Sequence, residues 1–453
     1  MLIAKKLGPV FLAAWGFILL VIQFFNQLDF GVPRSLNVIL SMHKKRLWYS
    51  RKILGASLFL ITLLVIITLF IFGINEIFSL DLGRKYRFSD YAPMVALICS
   101  LNYFNLIFLY LFRIYGKLIE IWINQSTPAI FIFLSLLVFE GEALLRALVI
   151  SFFLATLTSF FVFLLRIPIR FRPNYSSRLI KTLSIKGWYL FLGNSSIYFI
   201  LISCRWLTSA RYTAEEFGYF TFAISMSNVI LLSLTSFSYL LFPKLLNSLA
   251  KLPDNRVLKF LQELRIPYLF VANLLGHISI LLFPFLIAYF PQYYPSVDIF
   301  KVSVLAVVLF SSSFGYSALL TARKQEKVLS RISLVSLVFS IVITIALLQV
   351  WDVDIKYILA GLIVPYLFYS FLLAKKLQNV LRLDPACKIR FNQIIPLEML
   401  LPCALSFVLI VLAADSLWYV SPIILAVVLG WKSLKVTKEK LNYILRKPDL
   451  IDI

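Results

Sequence analysis

The chain has 453 residues, of which 61% are hydrophobic and only 14% are charged, and its mean hydropathy is +0.91. A soluble domain cannot bury so large an apolar fraction, so composition excludes a soluble globular protein and predicts an all-α, polytopic integral membrane protein. The formal net charge of +23 would suggest nucleic acid binding in a soluble protein, but here it is typical of loops lying against anionic lipid headgroups.

Apolar runs predict thirteen transmembrane spans. Runs over 127–165 and 396–431 are too long for one crossing of a ~30 Å hydrocarbon core, so each is split, the first at 140–142 and the second at Asp415. The predicted spans are 10–28, 53–73, 91–111, 121–139, 143–165, 186–204, 217–241, 266–290, 298–320, 329–350, 355–374, 396–414 and 417–431.

The first span belongs to a pattern that recurs later in the chain. A Leu-Gly-Pro turn at 7–9 opens it, Asp29-Phe30-Gly31 interrupts it, and Pro33-Arg34-Ser35-Leu36-Asn37 follows. In the second copy, an apolar run that starts at Glu216 ends in Pro243-Lys244-Leu245-Leu246-Asn247. Two parallel repeats inside a membrane protein are typical of a transporter.

The repeats predict the domain organisation. We expect an N-lobe over 1–185, a C-lobe over 186–395, and a helix pair with a cytoplasmic tail over 396–453. Two six-helix lobes and a final pair require one more span than the chain shows. The segment 1–4 is therefore interpreted as the end of a first helix that is mostly missing, through loss or a misassigned start.

Charge predicts the orientation in the membrane. Most of the 44 lysine and arginine residues fall in alternate loops, and the positive-inside rule places these loops and the C-terminus in the cytoplasm, with the N-terminus outside. The predicted cytoplasmic segments are 29–52, 112–120, 166–186, 244–265, 321–331, 375–395 and the tail from Lys432. Neither a phosphate-binding loop nor paired cysteine spacing is found, so no cofactor, metal site or disulfide is predicted.

Four segments resemble the boxes of bacterial polysaccharide flippases. KKLGPVFLAAWGF resembles their ARxLGPxxFGxY box, and LDFGVPRSL resembles their D-x-G-x-x-R-A segment. CRWLTSARYTAEEFGYFTFA resembles their seventh-helix box, although Cys204 stands where that family tends to carry Asp, and FPKLLNSLAK is similar to their F-P-x-L-S segment. Order and spacing agree over nearly the whole chain, which resembles the O-antigen flippase group of the multidrug/oligosaccharidyl-lipid/polysaccharide superfamily.

The resemblance implies a function. It implies a two-lobed helical fold with a central cavity that opens alternately to each side of the bacterial inner membrane. The implied substrate is an undecaprenyl-diphosphate-linked oligosaccharide, used in O-antigen, lipopolysaccharide or other surface polysaccharide biosynthesis, and a polymerase and chain-length machinery are possible partners. Sugars and phosphates cannot cross hydrocarbon without a large desolvation cost, so the chain must supply polar, positively charged groups.

Basic residues near span ends are the candidates for holding the diphosphate. They are Arg34, Arg205, Arg146, Lys244 and Arg113. Ordinary loop charge is the alternative for Arg34, Lys244 and Arg113, while snorkelling or pairing with Glu215 or Glu216 is the alternative for Arg205. Arg146 has a candidate partner in Glu142, one turn earlier.

Two further residues are candidates for coupling transport to an energy source, and for His277 that source would be proton movement. They are Asp29, which either balances Arg34 or caps the chain break, and His277, for which a hydrogen-bonded core position is the alternative. Polar residues inside spans, among them Gln23, Asn105, Ser195 and Asn273, are candidates either for lining a sugar path or for interhelical hydrogen bonds, and for Asn and Ser the second interpretation is favoured.

Three other functions stay open. A multidrug and toxin extrusion antiporter has the same fold, but it usually needs a buried acid, and the spans hold almost none. A membrane polymerase or ligase would be expected to carry a large outward catalytic loop, which is missing, so no enzyme activity is predicted. A non-transporting scaffold is the last alternative, because the first helix is mostly missing.

Overall fold

The computed structural model describes residues 1–43, 46–77, 83–169, 176–350, 353–381, 389 and 391–435. This part of the chain is almost entirely helical. The helices are α1 Leu2–Gln27, α2 Val32–His43, α3 Leu47–Ile77, α4 Ala92–Tyr115, α5 Leu118–Val138, α6 Gly141–Leu165, α7 Ser177–Arg211, α8 Ala214–Lys251, α9 Asp254–Ile287, α10 Ser296–Phe310, α11 Tyr316–Ala322, α12 Glu326–Val350, α13 Ala360–Val380, α14 Phe391–Ile394, α15 Leu397–Val411 and α16 Val420–Leu429.

The length and composition of these helices confirm a polytopic membrane protein. Ten described helical segments are long and apolar enough to cross a membrane, and α7, which bends by 53° near residue 194, makes an eleventh. Two shorter apolar helices, Leu397–Val411 and Ser416–Leu429, follow them. Each of the thirteen predicted spans overlaps one of these segments, and large apolar side chains such as Phe70 and Leu165 are exposed where lipid would surround them.

The breaks predicted around the first span are present. Gly8 has φ of 73° and ψ of 170°, so α1 kinks there, and Pro9 follows in the next turn. The helix ends at Gln27, and the Asp29 carboxylate accepts the Gly31 N–H at 2.7 Å to form an Asx turn. Because Gly31 has φ of 70°, the turn uses a conformation that favours glycine.

The predicted cytoplasmic loop over 29–52 is wrong in part, because residues 32–43 form α2. Pro33 lies in the first turn of this helix, where its missing N–H is not needed. Val32, Leu36 and Leu40 recur at helical spacing and are buried in one cluster with residues of α3, α4 and α7. The helix is therefore held by one apolar face, although its basic composition indicates a loop.

The predicted loop over 244–265 is also helical where it is described. Helix α8 continues to Lys251, and α9 begins at Asp254. The two helices are separated by a short connection in which Pro253 precedes α9. The side chain of Lys244 lies outside the described residues. The predicted span 298–320, in contrast, is interrupted after Phe310 by a short 3-10 turn and by Gly315, whose φ is 81°.

Packing divides the chain into two units, Met1–Gly218 and Tyr219–Ile453. In the first unit, α4 and α6 pack on each other and on α1, while α7 packs on α1 and α2. In the second, α9, α10 and α13 pack together, and α15 and α16 form a pair beside α9. The predicted lobe boundaries are derived from the sequence repeat and not from packing, so they stay predictions.

Ion pairs at the helix ends agree with the predicted alternation of loops between two membrane faces. In the first unit, Lys6 pairs with Glu140 at 3.1 Å, and both belong to predicted outward segments. At the opposite ends of the helices, Arg166 pairs with Glu120 at 3.6 Å, and both belong to predicted inward segments. Helices α5 and α6 therefore run in opposite directions, as consecutive membrane crossings require.

Candidate functional site

Arg34, the first predicted substrate-binding residue, forms a triangle of hydrogen bonds with two neutral side chains. Its Nη1 donates to Ser195 Oγ at 3.0 Å, and its Nη2 donates to Gln27 Oε1 at 3.4 Å. Ser195 Oγ also donates to Gln27 Oε1 at 3.3 Å. Helices α1, α2 and α7 each contribute one member. The guanidinium is only half-buried, so it keeps donor capacity for a further acceptor.

Arg205 lies on α7 and is held by α1. The sequence places it just past a span, whereas α7 continues to Arg211, so Arg205 is inside the helix and only 5% exposed. Its Nη1 donates to Gln23 Oε1 at 2.9 Å, and its Nη2 donates to the Gly16 carbonyl at 3.3 Å. No described carboxylate pairs with it, so the predicted alternative of an ion pair with Glu215 or Glu216 is wrong.

The two arginines form one polar row along α1. Gln23 and Gln27 are one turn apart on the same face of that helix, and each binds one guanidinium. We call Arg34, Ser195, Gln27, Gln23 and Arg205 the arginine row. Since its described hydrogen-bond acceptors are uncharged, the row carries positive charge that no direct ion pair neutralises.

Aromatic side chains pack beside the arginine row. Phe24 lies on α1, with its ring centroid 5.7 Å from that of Phe199 and 5.9 Å from that of Trp206, both on α7. Phe30 stacks on Trp188 at 6.2 Å near the Arg34 end. These rings lower the local polarity, so an anion that reaches the guanidinium groups would be attracted more strongly than in water.

Asp29 is an acidic residue that interacts electrostatically with Arg34 of the row. It is 1% exposed, and its Oδ2 has no hydrogen-bond partner, whereas Oδ1 accepts the Gly31 N–H. Burial raises the pKa of the Asp29 carboxyl above its usual value, while the Arg34 charge and the Gly31 hydrogen bond act in the opposite direction. Both alternatives from the sequence hold, since Asp29 caps the break and interacts electrostatically with Arg34.

Comparison with known proteins gives structural matches only, since no protein-family model and no curated protein matches the chain. An inward-facing conformation of a multidrug resistance MATE family transporter of the MOP superfamily has a TM-score of 0.70 at 12% identity, covering 84% of this chain and 94% of that one. The lipid II flippase MurJ in an inward closed conformation has a TM-score of 0.71 at 13% identity, covering 97% and 95%. The chain has the same fold as these two transporters. This confirms the predicted fold class.

Arg146 and Arg113 are far less enclosed in this fold than Arg205 is. Arg146 donates to Glu142 at 2.7 Å, which is the predicted pair one helical turn apart, and its side chain is 66% exposed. It lines a cleft of about 390 Å³ with Asp90 and Tyr91. Arg113 is exposed in the last turn of α4. Neither residue joins the arginine row.

His277, the second predicted coupling residue, lies in the second unit between α9 and α15. Its Nδ1 is 3.2 Å from Ser406 Oγ, and its Nε2 is 4.0 Å from Cys403 Sγ. Nearby, Asn273 Nδ2 donates to the Glu398 carbonyl at 2.8 Å. These contacts join the two helices, which agrees with the interpretation of intramembrane polar residues as interhelical hydrogen-bonding groups.

Arg265 and Glu120 are among the buried charges that sequence reasoning missed. Arg265, assigned to a cytoplasmic loop, is 0% exposed on α9, where it donates to the carbonyls of Phe314 and Ile394 and stacks on the Tyr316 ring at 3.8 Å. Glu120 is buried beside Arg166. Both residues lie at span edges, where the sequence pattern of a buried charge is the same as that of a loop charge.

Proposed function

We propose that this chain is a flippase that moves undecaprenyl-diphosphate-linked oligosaccharide, an O-antigen or other surface polysaccharide unit, across the cytoplasmic membrane by alternating access. The observation that carries the proposal is the arginine row, in which Arg34 is half-buried and its described hydrogen bonds go to neutral side chains. A lipid diphosphate offers acceptor oxygens that match the two-point geometry of a guanidinium. MurJ, which has the same fold, is described as a flippase of lipid II.

The row suits a transport cycle because its affinity for an anion would be moderate. Arg34 already donates to Ser195 and Gln27, so binding would replace these neutral acceptors with charged phosphate oxygens. When the diphosphate leaves, Arg34 would donate to Ser195 and Gln27 again, so its donors stay satisfied. Arg205 is buried and bonded to Gln23, one helix turn before Gln27, and it would add attraction without direct contact. The two states of the alternating-access cycle then need to differ only in the side of the membrane from which Arg34 is accessible.

A multidrug antiporter is the second candidate, and Asp29 is the observation that favours it. The sequence suggests almost no buried acid, yet Asp29 is buried with an unpaired oxygen, and the MATE transporter matches the fold about as well as MurJ does. A cationic drug, however, would have to bind beside Arg34. The like charge disfavours it.

Reconstitution of the purified chain in proteoliposomes separates the two candidates. We expect translocation of a fluorescent polyprenyl-diphosphate-linked oligosaccharide, measured by its loss of accessibility to an added lectin, and no uptake of an organic cation such as ethidium. In cells, deletion of the gene should trap the lipid-linked glycan on the cytoplasmic leaflet. Cation uptake without lipid translocation would instead support the antiporter.

The proposal includes an orientation, with the C-terminus in the cytoplasm and the cationic loops facing anionic lipid. The basic loops would then lie where the lipid-linked substrate is made, and a polymerase and chain-length machinery would use the product on the other face. The Lys6–Glu140 pair between two predicted outward segments and the Arg166–Glu120 pair between two predicted inward segments support this orientation. The charge bias selects which face is inside.

Labelling of one introduced, exposed cysteine at a time tests this orientation. In a chain carrying Cys387→Ser, which leaves the buried Cys99, Cys204 and Cys403, we expect Glu140→Cys to react with a membrane-impermeant maleimide in intact cells. Lys117→Cys, equally placed on an exposed helix connection but at the other face, should react only after permeabilisation. The reverse pattern would invert the proposed topology.

A further inference from the structure

The turn between α1 and α2 contains an unsatisfied acceptor. Asp29 Oδ2 is buried and has no hydrogen-bond partner, although its neighbour Oδ1 is bonded to the Gly31 N–H. An ionised carboxylate with a bare buried oxygen is costly, whereas a protonated carboxyl group carries no charge and costs less to bury. The site therefore fits the neutral acid better than it fits the anion.

The groups that surround Asp29 include one positive charge. Arg34 of α2 acts on it electrostatically, and the phenol of Tyr103 on α4 also interacts with the Asp29 charge. From α7, Gly187 lies against the turn and Trp188 and Phe191 pack on Phe30, and none of them is titratable, while the adjacent Lys186 is exposed. Because a phenol is neutral below about pH 10, Arg34 and Asp29 are the pair whose charges change the site.

We propose that Asp29 is a proton-binding site that controls the affinity of Arg34 for an anionic substrate. The inference rests on the proposed function and deepens it, because it names the side chain whose protonation changes the substrate affinity of Arg34. In the deprotonated state, Asp29 and Arg34 together carry no net charge. Uptake of one proton by the carboxylate leaves the pair with a net charge of +1, and no other bond changes.

The sign of the coupling follows from electrostatics. A diphosphate at Arg34 is repelled by an ionised Asp29 and is not repelled by the neutral acid. Binding of the anion and binding of the proton therefore favour each other, and the same coupling acts in both directions. Substrate should bind more tightly as the pH falls through the Asp29 titration, and release should be favoured where the carboxylate ionises.

Infrared difference spectroscopy of the full chain in nanodiscs, without substrate, tests the proton site directly. We expect a carboxylic acid C=O band that disappears as the pH rises in the wild type and is missing in Asp29→Asn. The matched control is Glu120→Gln, which removes another buried carboxylate, one that is paired with Arg166 at 3.6 Å, and should keep the band. Asparagine retains an oxygen for the Gly31 N–H, so the turn is preserved.

A second variant covers a failure of Asp29→Asn to fold. Arg34→Gln removes the nearby positive charge, so the band should persist to higher pH than in the wild type. Identical titrations in the wild type and Asp29→Asn, or no upward shift in Arg34→Gln, would overturn the assignment of the proton to Asp29.

Binding of farnesyl diphosphate in nanodiscs tests the coupling. At high pH we expect Asp29→Asn to bind about tenfold more tightly than the wild type, with the two affinities converging at low pH. The probe's own change of charge with pH affects both proteins equally, so it cancels in the ratio of their two affinities. A ratio independent of pH overturns the coupling but leaves the flippase proposal intact. If no form binds the probe at any pH, both fail, and the infrared titration then reports only whether Asp29 holds a proton.

Discussion

Replacement of Arg34 by alanine should lower translocation of a lipid-linked oligosaccharide by about a hundredfold, measured in proteoliposomes containing equal amounts of folded protein. Charge-assisted hydrogen bonds contribute about 1.5–3 kcal/mol each, and a guanidinium can offer two to a diphosphate, so one such pair corresponds to roughly this factor. Ser195 and Gln27 would still hydrogen-bond to each other at 3.3 Å, so the helices stay joined.

A lysine at position 34 separates geometry from charge. Arg34→Lys keeps the positive charge but offers a compact ammonium group without the planar fork, and we expect a loss of about tenfold. Arg178→Ala is the matched control, because Arg178 is exposed in the first turn of α7, and its removal deletes the same charge from the same unit. Its transport should equal that of the wild type.

The outcome for Gln27 tests whether the row acts as a unit. Gln27→Leu removes the acceptor shared by Arg34 and Ser195, so the guanidinium is held less firmly while its charge stays.

If Arg34→Ala transports as well as the wild type, Arg34 does not bind substrate, and its bonds to α1 and α7 serve only to join helices.

Much of the fold could be predicted because its determinants are local. Apolar runs long enough for a membrane, the kink at Gly8 and the break at Asp29–Gly31 are all properties of a few consecutive residues. The same locality explains the success of the Arg146–Glu142 pair, which needs only a helix and a four-residue spacing.

The errors come from contacts between residues that are distant in the chain. Helix α2 forms because Val32, Leu36 and Leu40 pack against α3, α4 and α7, and its basic end hides that face from a count of charges. The burial of Arg265 depends on carbonyl groups from two later segments. A charge at a span edge shows no sign of such partners in the sequence.

The site itself was half predictable for the same reason. Arg34 and Arg205 stand out as cations beside apolar runs, but the acceptors that position them, Gln23 and Gln27, come from another helix. Because Ser195 is 161 residues from Arg34 in the chain, no spacing rule connects the two. Asp29 could be named as a partner of Arg34, whereas its bare oxygen is visible only in three dimensions.

The turn that carries Asp29 and Arg34 should be intolerant of any side chain at position 31. We expect Gly31→Ala to destabilise the protein by about 3 kcal/mol or more, seen as a loss of monodisperse protein on size exclusion and a lower melting temperature in detergent. The left-handed conformation at φ of 70° costs a non-glycine residue about 1–2 kcal/mol. A Cβ would also overlap the backbone of Gly187 on α7, and overpacking adds about 1–3 kcal/mol.

Two other glycines show which cause dominates. Gly73 has no atom within 4 Å of an added Cβ and lies inside α3, so Gly73→Ala should leave the melting temperature equal or slightly higher. Gly187→Ala places its Cβ 2.8 Å from the Phe30 carbonyl without requiring a left-handed residue. If Gly187→Ala is nearly as damaging as Gly31→Ala, the close approach of α7 to the turn is the main cause. If Gly31→Ala melts like the wild type, α7 is not held against the turn, and the positions of Ser195 and Arg34 in the arginine row are not fixed by this contact.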